Sequence, residues 1–163
     1  MFALDLAYKN NIRYYAISFV NSSKDLRLVK KIVDKKSFLI SKIETKSAIS
    51  NLKEITKESN ALLIDRGDLS RYIPIEEIPI AQELIINHGL KAKKPVYVAT
   101  NLLETMVKET QPTRAESHDI FSTLKQGASG LVLAAETAIG LNPVSCVDFL
   151  KRCIKIFKKY KKK

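Results

Sequence analysis

Apolar residues along the chain fall into five short runs, separated by longer segments in which apolar positions recur with a helical period. The runs are YYAISFV (14–20), SFLISKI (37–43), ALLID (61–65), PVYVAT (95–100) and GLVLAAE (130–136). Each run is nearly continuous and rich in β-branched or aromatic residues, which is typical of strands buried on both faces. The pattern therefore predicts five buried β-strands.

The segments between the runs predict helices. These helices cover residues 23–34, 75–88, 116–127 and 144–157, with a further amphipathic helix in MFALDLAYKNN at the start. In the first of them Leu26, Val29 and Val33 fall on one stripe. Strands that alternate with helices are typical of βαβ units and a parallel sheet, so the predicted fold class is α/β.

Polar side chains follow four of the predicted strands at the point where each strand ends. They are Lys42 and Glu44, Arg66 and Asp68, Thr100 and Asn101, and Glu136 and Thr137. The carboxyl ends of parallel strands meet on one face, and that face carries the chemistry of α/β folds. Capping of the next helix accounts for any one such residue, but polar residues at all four ends favour a functional site.

Length and composition agree with one globular domain. The chain has 163 residues, of which 45% are hydrophobic, enough for a core of its own. It contains no run of about 18 apolar residues, so no membrane span or membrane partner is expected, and its start does not resemble a signal peptide. Cys146 and Cys153 lie about two turns apart in one predicted helix, too far for a disulfide. A reducing, cytoplasmic location is predicted.

The net charge of +11 comes mostly from the end of the sequence. Residues 151–163, KRCIKIFKKYKKK, hold eight basic residues and no acidic one, and the remaining 20 basic residues almost balance the 17 acidic ones. A solvated helix end is the favoured interpretation, because cations also suit the helix dipole there. The alternative is a patch for nucleic acid or an acidic membrane, but no aromatic RNA-binding motif supports nucleic acid as a partner.

Four segments resemble, in order, successive signatures of the pyruvate kinase family. They are LISKIET, IDRGDLSRYIP, KPVYVATNLLETMVKETQPTRAESHD and GLVLAAETAIGLNPVSCV, and AISFV resembles the strand before them. Pyruvate kinases build their main domain as a (β/α)8 barrel, and the resemblance covers its fourth to eighth strands only. It implies a partial TIM (β/α)8 barrel of about five parallel βα units over residues 1–157, with a basic tail over residues 158–163.

The resemblance also implies a glycolytic activity. Pyruvate kinases transfer a phosphoryl group between phosphoenolpyruvate and ADP, giving pyruvate and ATP. By resemblance Glu44 and Asp68 are the Mg²⁺ ligands, and Lys42 is the catalytic group that stabilises the transferring phosphate and the enolate. The family also uses K⁺, whose ligands lie in the part of the family that this chain does not match.

The substrate-binding residues implied by the resemblance are Gly67, Asp68, Thr100 and Arg66. Gly67 is expected to let the backbone turn after the strand, so that the amides of Gly67 and Asp68 face an anion. These amides and Thr100 hold the substrate carboxylate in the family, and Arg66 is expected to brace the loop by pairing with a carboxylate. A cell-adhesion role for Arg-Gly-Asp is disfavoured, because the tripeptide closes a buried strand.

Several residues depart from the family pattern at the predicted site. Asp65 stands where the family has alanine, and its carboxylate is expected to repel phosphoenolpyruvate or to compete as a metal ligand. Asn101 replaces glutamine, and Ala134 and Ala135 replace serine and glycine. The first three barrel strands are not matched, so activity of the isolated chain is expected to be impaired. Open sheet edges predict self-association or a complementing chain.

Two other functions remain open from the sequence. One is a non-catalytic module that binds phosphoenolpyruvate or pyruvate with Mg²⁺. The other is a metal-dependent lyase or aldolase acting on a pyruvate enolate, for which Lys42, Glu44 and Asp68 are also suited. Dependence on nucleotide distinguishes them, because only the kinase needs ADP.

Overall fold

The computed structural model describes residues 2–162 and contains one parallel sheet whose five strands lie side by side in chain order. The strands are β1 (Tyr14–Ile17), β2 (Phe38–Ile43), β3 (Ala61–Asp65), β4 (Val96–Ala99) and β5 (Gly130–Val132). Helices connect consecutive strands, which confirms the α/β class. Met1 and Lys163, the outer ends of the predicted domain and tail, lie outside the described residues.

The predicted strands are all present, but β1 and β5 end earlier than expected. β1 stops three residues before the predicted end at residue 20, because Phe19 takes a left-handed backbone conformation with φ 52°. β5 stops four residues early, where Ala134 precedes a short helix. In both places the apolar run continues into the loop, so hydrophobicity alone overestimates the strand length.

The helices surround the sheet. They are α1 (Phe2–Lys9), α2 (Ser23–Lys30), α3 (Lys46–Ser50), α4 (Leu52–Glu58), α5 (Arg66–Leu69), α6 (Ile78–Lys91), α7 (Arg114–Gln126), α8 (Ala135–Ala138) and α9 (Pro143–Tyr160). The helices α3 and α4, over residues 46–58, were not predicted from the sequence. Leu52 and Ile55 are nevertheless buried, and the N-cap hydroxyl of Thr45 accepts a hydrogen bond from the Ala48 amide at 3.1 Å.

Burial follows position in the sheet. All five residues of β3 are buried, whereas β1 and β5 are partly exposed. The expectation that all five strands are buried on both faces is therefore wrong for the two outer strands, which lack a neighbour on one side within residues 2–162. Tyr14 of β1 is 73% exposed. These open edges are what five strands of a barrel leave, since a barrel removes its edges only by closing.

Two groups of buried residues form most of the core. The first packs the sheet against α2, α4 and α6, and includes Leu26, Ile43, Ile55, Ile64, Ile85 and Val98. The second joins α7, α9 and the loop after β4 through Leu102, Leu103, Met106, Ile120, Cys146 and Leu150. Cys146 and Cys153 are free thiols, which confirms that they do not form a disulfide. Among the described helices, none has the length and apolar composition that crossing a membrane requires.

The start of α7 carries a stability prediction. The Glu116 carboxylate accepts hydrogen bonds from the amides of Thr105 at 2.8 Å and Thr113 at 2.7 Å. Because Glu116→Ala leaves both amides without this acceptor, we expect the free energy of unfolding to fall by about 1–2 kcal/mol. Urea denaturation measures this, and Glu109→Ala, which removes an exposed carboxylate of the same loop, is the matched control.

The same contacts predict a pH dependence. Burial acts to raise the pKa of Glu116, but hydrogen bonds from Thr113 and Thr105 lower it more, so its pKa lies below the ordinary value. This stabilisation is present above the pKa of the unfolded chain and is lost as the pH falls through the lower folded pKa. An equal acid sensitivity in wild type and Glu116→Ala would contradict the assignment.

Candidate functional site

Three carboxylates meet at the carboxyl ends of β2 and β3. Ile43 pairs with Ile64 in the sheet, so the residues that follow, Glu44 and Asp65, lie side by side. Asp68 follows in the first turn of α5. One oxygen from each carboxylate lies within 4.8 Å of the other two. The structure thus brings Glu44 and Asp68 together as predicted, and adds Asp65 to them.

Lys42 supplies a positive charge to this cluster. Its Nζ lies 2.6 Å from Glu44 Oε1 and 3.0 Å from Asp65 Oδ2, with the Ser18 hydroxyl at 3.5 Å. Burial acts to lower the pKa of Lys42, but the two carboxylates raise it more, so the pKa lies above its ordinary value. Lys42 and Glu44 leave the strand on the same side, as their spacing of two residues predicts.

Glu44 lies in the interior, and a backbone amide holds one of its two carboxylate oxygens. Its side chain is fully buried, and Oε2 accepts a hydrogen bond from the Phe19 amide at 2.5 Å. Within residues 2–162, Oε1 accepts no hydrogen bond of good geometry, although the Lys42 ammonium lies beside it. A buried carboxylate oxygen of this kind needs a cation. Carboxylate oxygens are also the ligands that Mg²⁺ prefers, so the oxygen atoms of this cluster fit that ion.

Thr100 and Asn101 form a strained turn after β4. Both have left-handed backbone conformations, with φ 67° and 53°. The strain falls mainly on Thr100, which is β-branched, because asparagine tolerates this region. The guanidinium of Arg66 donates to the Thr100 carbonyl from Nε at 3.1 Å and from Nη2 at 2.7 Å, and to the Asn101 carbonyl at 2.9 Å. These bonds stabilise the turn that aims the Thr100 side chain at the site.

Arg66 is anchored in turn by α7. Its Nη1 donates to both carboxylate oxygens of Asp119, at 3.0 and 2.8 Å, and lies 3.4 Å from Gln82 Oε1. The bracing role predicted for Arg66 agrees with these contacts. Contacts within the chain engage its N–H donors, and direct contact of Arg66 with a substrate stays a prediction.

The predicted anion-binding amides lie beside this turn. The Gly67 amide donates to Thr100 Oγ1 at 2.8 Å, and the Asp68 amide lies 3.4 Å from Asp65 Oδ1. Gly67 belongs to the helical turn α5, and its missing Cβ leaves ordinary van der Waals space near Thr100. Gly67 does not have a positive φ, so the expected turn after β3 forms in an ordinary helical conformation. Binding of an anion by these amides stays a prediction.

Two functional contacts have weak sequence signals. Glu136 is 1% exposed and accepts hydrogen bonds from the amides of Leu103 at 3.0 Å and Ala134 at 2.7 Å, so it fixes the loops after β4 and β5. The position of Glu136 after the fifth strand identifies it as a candidate site residue in the sequence, but the amides that it binds cannot be identified in this way. Asp119 lies inside the segment TRAESHD, and nothing in that pattern identifies it as the partner of Arg66.

Comparison with known proteins gives a consistent picture. A family model described as the barrel domain of pyruvate kinase matches residues 2–147. The chain is 41% identical over 155 residues to a pyruvate kinase of Thermotoga maritima, covering 93% of this chain and 33% of that protein. It is 37% identical over 163 residues to a pyruvate kinase of Borreliella burgdorferi, covering 98% and 34%. The chain therefore spans about a third of the length of these relatives.

Proposed function

This chain belongs to the pyruvate kinase family, and we propose that it contributes the metal-binding and carboxylate-binding part of a site for phosphoryl transfer between phosphoenolpyruvate and ADP. The observation that carries the proposal is the cluster of Glu44, Asp65 and Asp68 within 4.8 Å of one another, beside Lys42. Phosphoryl transfer depends mainly on positioning and on neutralising charge. A cluster of this kind serves both needs.

Glu44 and Asp68 are the proposed Mg²⁺ ligands. Their support is the buried oxygen Oε1 of Glu44, whose charge is balanced only by the nearby Lys42 ammonium among the described residues, and the convergence of the carboxylates at one place. When bound there, the cation neutralises charge on the phosphoryl and enolate oxygens. K⁺, which the family also uses, is proposed to bind through residues of the part that this chain does not match.

Lys42 and the turn after β4 are proposed to act on the substrate itself. The ammonium of Lys42 lies next to the carboxylates, where it can stabilise negative charge that develops on an enolate or on the transferring phosphate. Thr100 Oγ1 lies 2.8 Å from the Gly67 amide. We propose that these two groups and the Asp68 amide rearrange around the substrate carboxylate, with Arg66 positioning the turn.

A complete site requires further strands. The outer edges of β1 and β5 are open in residues 2–162, and the relatives are about three times as long as this chain. We propose that a second copy or a complementing chain covers these edges, because the backbone N–H and C=O groups of an edge strand have no partners on its open side. The barrel domain is proposed to cover residues 1–157, with 158–163 as a basic tail that begins within α9. Glycolysis in the cytoplasm is the proposed context.

A second candidate function follows from Asp65. Three carboxylates around one ammonium disfavour a phosphate ester and favour a substrate with a single carboxylate. This favours metal-dependent chemistry on a pyruvate enolate without nucleotide, as in a lyase or an aldolase.

The test separates the two functions. The purified chain is titrated calorimetrically with phosphoenolpyruvate, with and without Mg²⁺, beside a coupled assay for pyruvate with ADP. Exchange of pyruvate methyl protons for deuterium is followed by NMR. Pyruvate formation that requires ADP supports the kinase, and methyl exchange without ADP supports the enolate enzyme. Binding without either reaction indicates a binding module. The absence of phosphoenolpyruvate binding together with the absence of methyl exchange contradicts the kinase, the enolate enzyme and the binding module.

A further inference from the structure

We propose that Asp65 is a third carboxylate ligand of the divalent cation held by Glu44 and Asp68. We further propose that the Lys42 ammonium serves as a counter-ion in the same cluster until the cation displaces it. This inference rests on the proposed assignment of Glu44 and Asp68 as metal ligands. It assigns a supporting role to a carboxylate whose position in the sequence predicts either repulsion of phosphoenolpyruvate or competition as a metal ligand.

The two oxygens of Asp65 have different surroundings. Oδ1 faces the first turn of α5, where it lies 3.4 Å from the Asp68 amide, and it lies at the same distance from Thr100 Oγ1. Oδ2 lies 3.0 Å from the Lys42 ammonium. The side chain is only 12% exposed. One oxygen therefore fixes the carboxylate, and the other is presented to a cation.

Glu44 has the same arrangement. The Phe19 amide holds Oε2, whereas Oε1 lies 2.6 Å from the Lys42 ammonium and accepts no well-formed hydrogen bond from the described residues. Two buried carboxylates thus each direct one oxygen at the same positive charge. This convergence indicates a preformed site for a cation, and the Lys42 ammonium balances the two carboxylate charges there.

The charge balance favours a divalent ion. Three carboxylates and one ammonium leave the cluster with two uncompensated negative charges. Arg71 also lies 3.5 Å from Asp68, but it is 76% exposed and is screened by solvent. A divalent cation therefore neutralises the cluster before any anionic substrate binds. Without Asp65, the same ion would leave a positive site that depends on the substrate for its neutralisation.

Displacement changes what Lys42 can do. While its ammonium pairs with Glu44 and Asp65, its charge is already compensated and attracts an anion weakly. Once the cation takes over both carboxylates, the ammonium is released toward the substrate. The structure thus predicts ordered binding, in which the metal ion enters first and then the anion.

The experiment measures Mn²⁺ binding to the full chain without substrate, from the electron paramagnetic resonance signal of the free ion. Asp65→Asn keeps a capping oxygen but loses the charge. We expect its Mn²⁺ affinity to fall at least about tenfold, because even groups outside the first coordination layer are worth roughly 10–100-fold. Asp65→Glu is expected to retain more affinity than Asp65→Asn. Asp148→Asn, which removes an exposed carboxylate paired with Lys151 on α9, is the matched control.

Lys42→Gln tests the counter-ion. Removing the ammonium should tighten Mn²⁺ binding by about tenfold or more, because two positive charges no longer compete for the same oxygens. Unchanged or weaker binding overturns the displacement. Wild-type affinity in Asp65→Asn, together with loss of binding in Asp68→Asn, overturns the role of Asp65 but leaves the proposed metal ligands intact. A wild-type chain that binds no Mn²⁺ overturns the metal assignment itself.

Discussion

Replacing Arg66 with alanine is expected to lower the free energy of unfolding by about 3 kcal/mol, near the lower end of the cost of breaking a buried ion pair. The guanidinium is buried and serves the Asp119 carboxylate and two carbonyls of a left-handed turn. Its loss leaves these acceptors without their donors and leaves the turn at Thr100 without support. Asp119 is 35% exposed, so water recovers part of the cost. Urea denaturation followed by circular dichroism gives the value.

Two variants place this result in context. Arg66→Lys keeps the charge but not the planar set of donors, so we expect a loss between those of alanine and wild type. Arg27→Ala breaks a surface pair with Glu58, in which Arg27 is 62% exposed, and should change the free energy of unfolding by less than about 1 kcal/mol. Equal effects of Arg66→Ala and Arg27→Ala would mean that Arg66 does not hold the turn.

The substitution Glu44→Gln is expected to weaken Mn²⁺ binding by more than about 100-fold, because it removes a ligand charge and outer groups alone account for roughly 10–100-fold. The amide oxygen of glutamine can still accept the hydrogen bond from the Phe19 amide. Fold stability also falls, because the variant no longer pairs with the Lys42 ammonium, so metal affinity is read from the Mn²⁺-dependent rise in melting temperature and not from the melting temperature itself. Thermal denaturation with and without Mn²⁺ measures both, because a ligand that binds only the folded state raises its melting temperature.

Glu54→Gln is the matched control for this variant. Glu54 also accepts from a backbone amide, that of Ser23 at 3.2 Å, and it lies outside the carboxylate cluster. We expect Glu54→Gln to keep the Mn²⁺-dependent rise in melting temperature and Glu44→Gln to lose it. If both variants keep it, Glu44 is not a metal ligand.

The sheet was predictable because each strand has a clear sequence pattern. Residues 61–65 are apolar up to Asp65, and the strand has the predicted ends. The region 46–58 was harder, since its two short helices depend on packing of a few residues such as Leu52 against the sheet. The carboxyl end of β1 was mispredicted because Phe19 adopts a left-handed conformation that its residue type does not indicate.

The site was predictable as far as strand ends place residues together. Lys42 and Glu44 lie at the end of β2, and Asp68 lies in the turn after β3. Because these strands are neighbours, the three residues come to one face. The bond between Arg66 and Asp119 joins residues 53 positions apart, and a sequence pattern does not specify such a contact. The ion pair of Lys42 with Asp65 depends on side-chain conformations, which periodicity does not describe.

The order of the strands has a consequence for how the protein forms. Because every strand pairs with its neighbour in the chain, each βα unit can dock on the one before it with only a short loop to close. The sheet can therefore grow during synthesis, one βα unit after another. Glu44 comes from the second unit, Asp65 and Asp68 from the third, and Thr100 from the fourth. The negative charges of the cluster thus come together before the turn that carries Thr100.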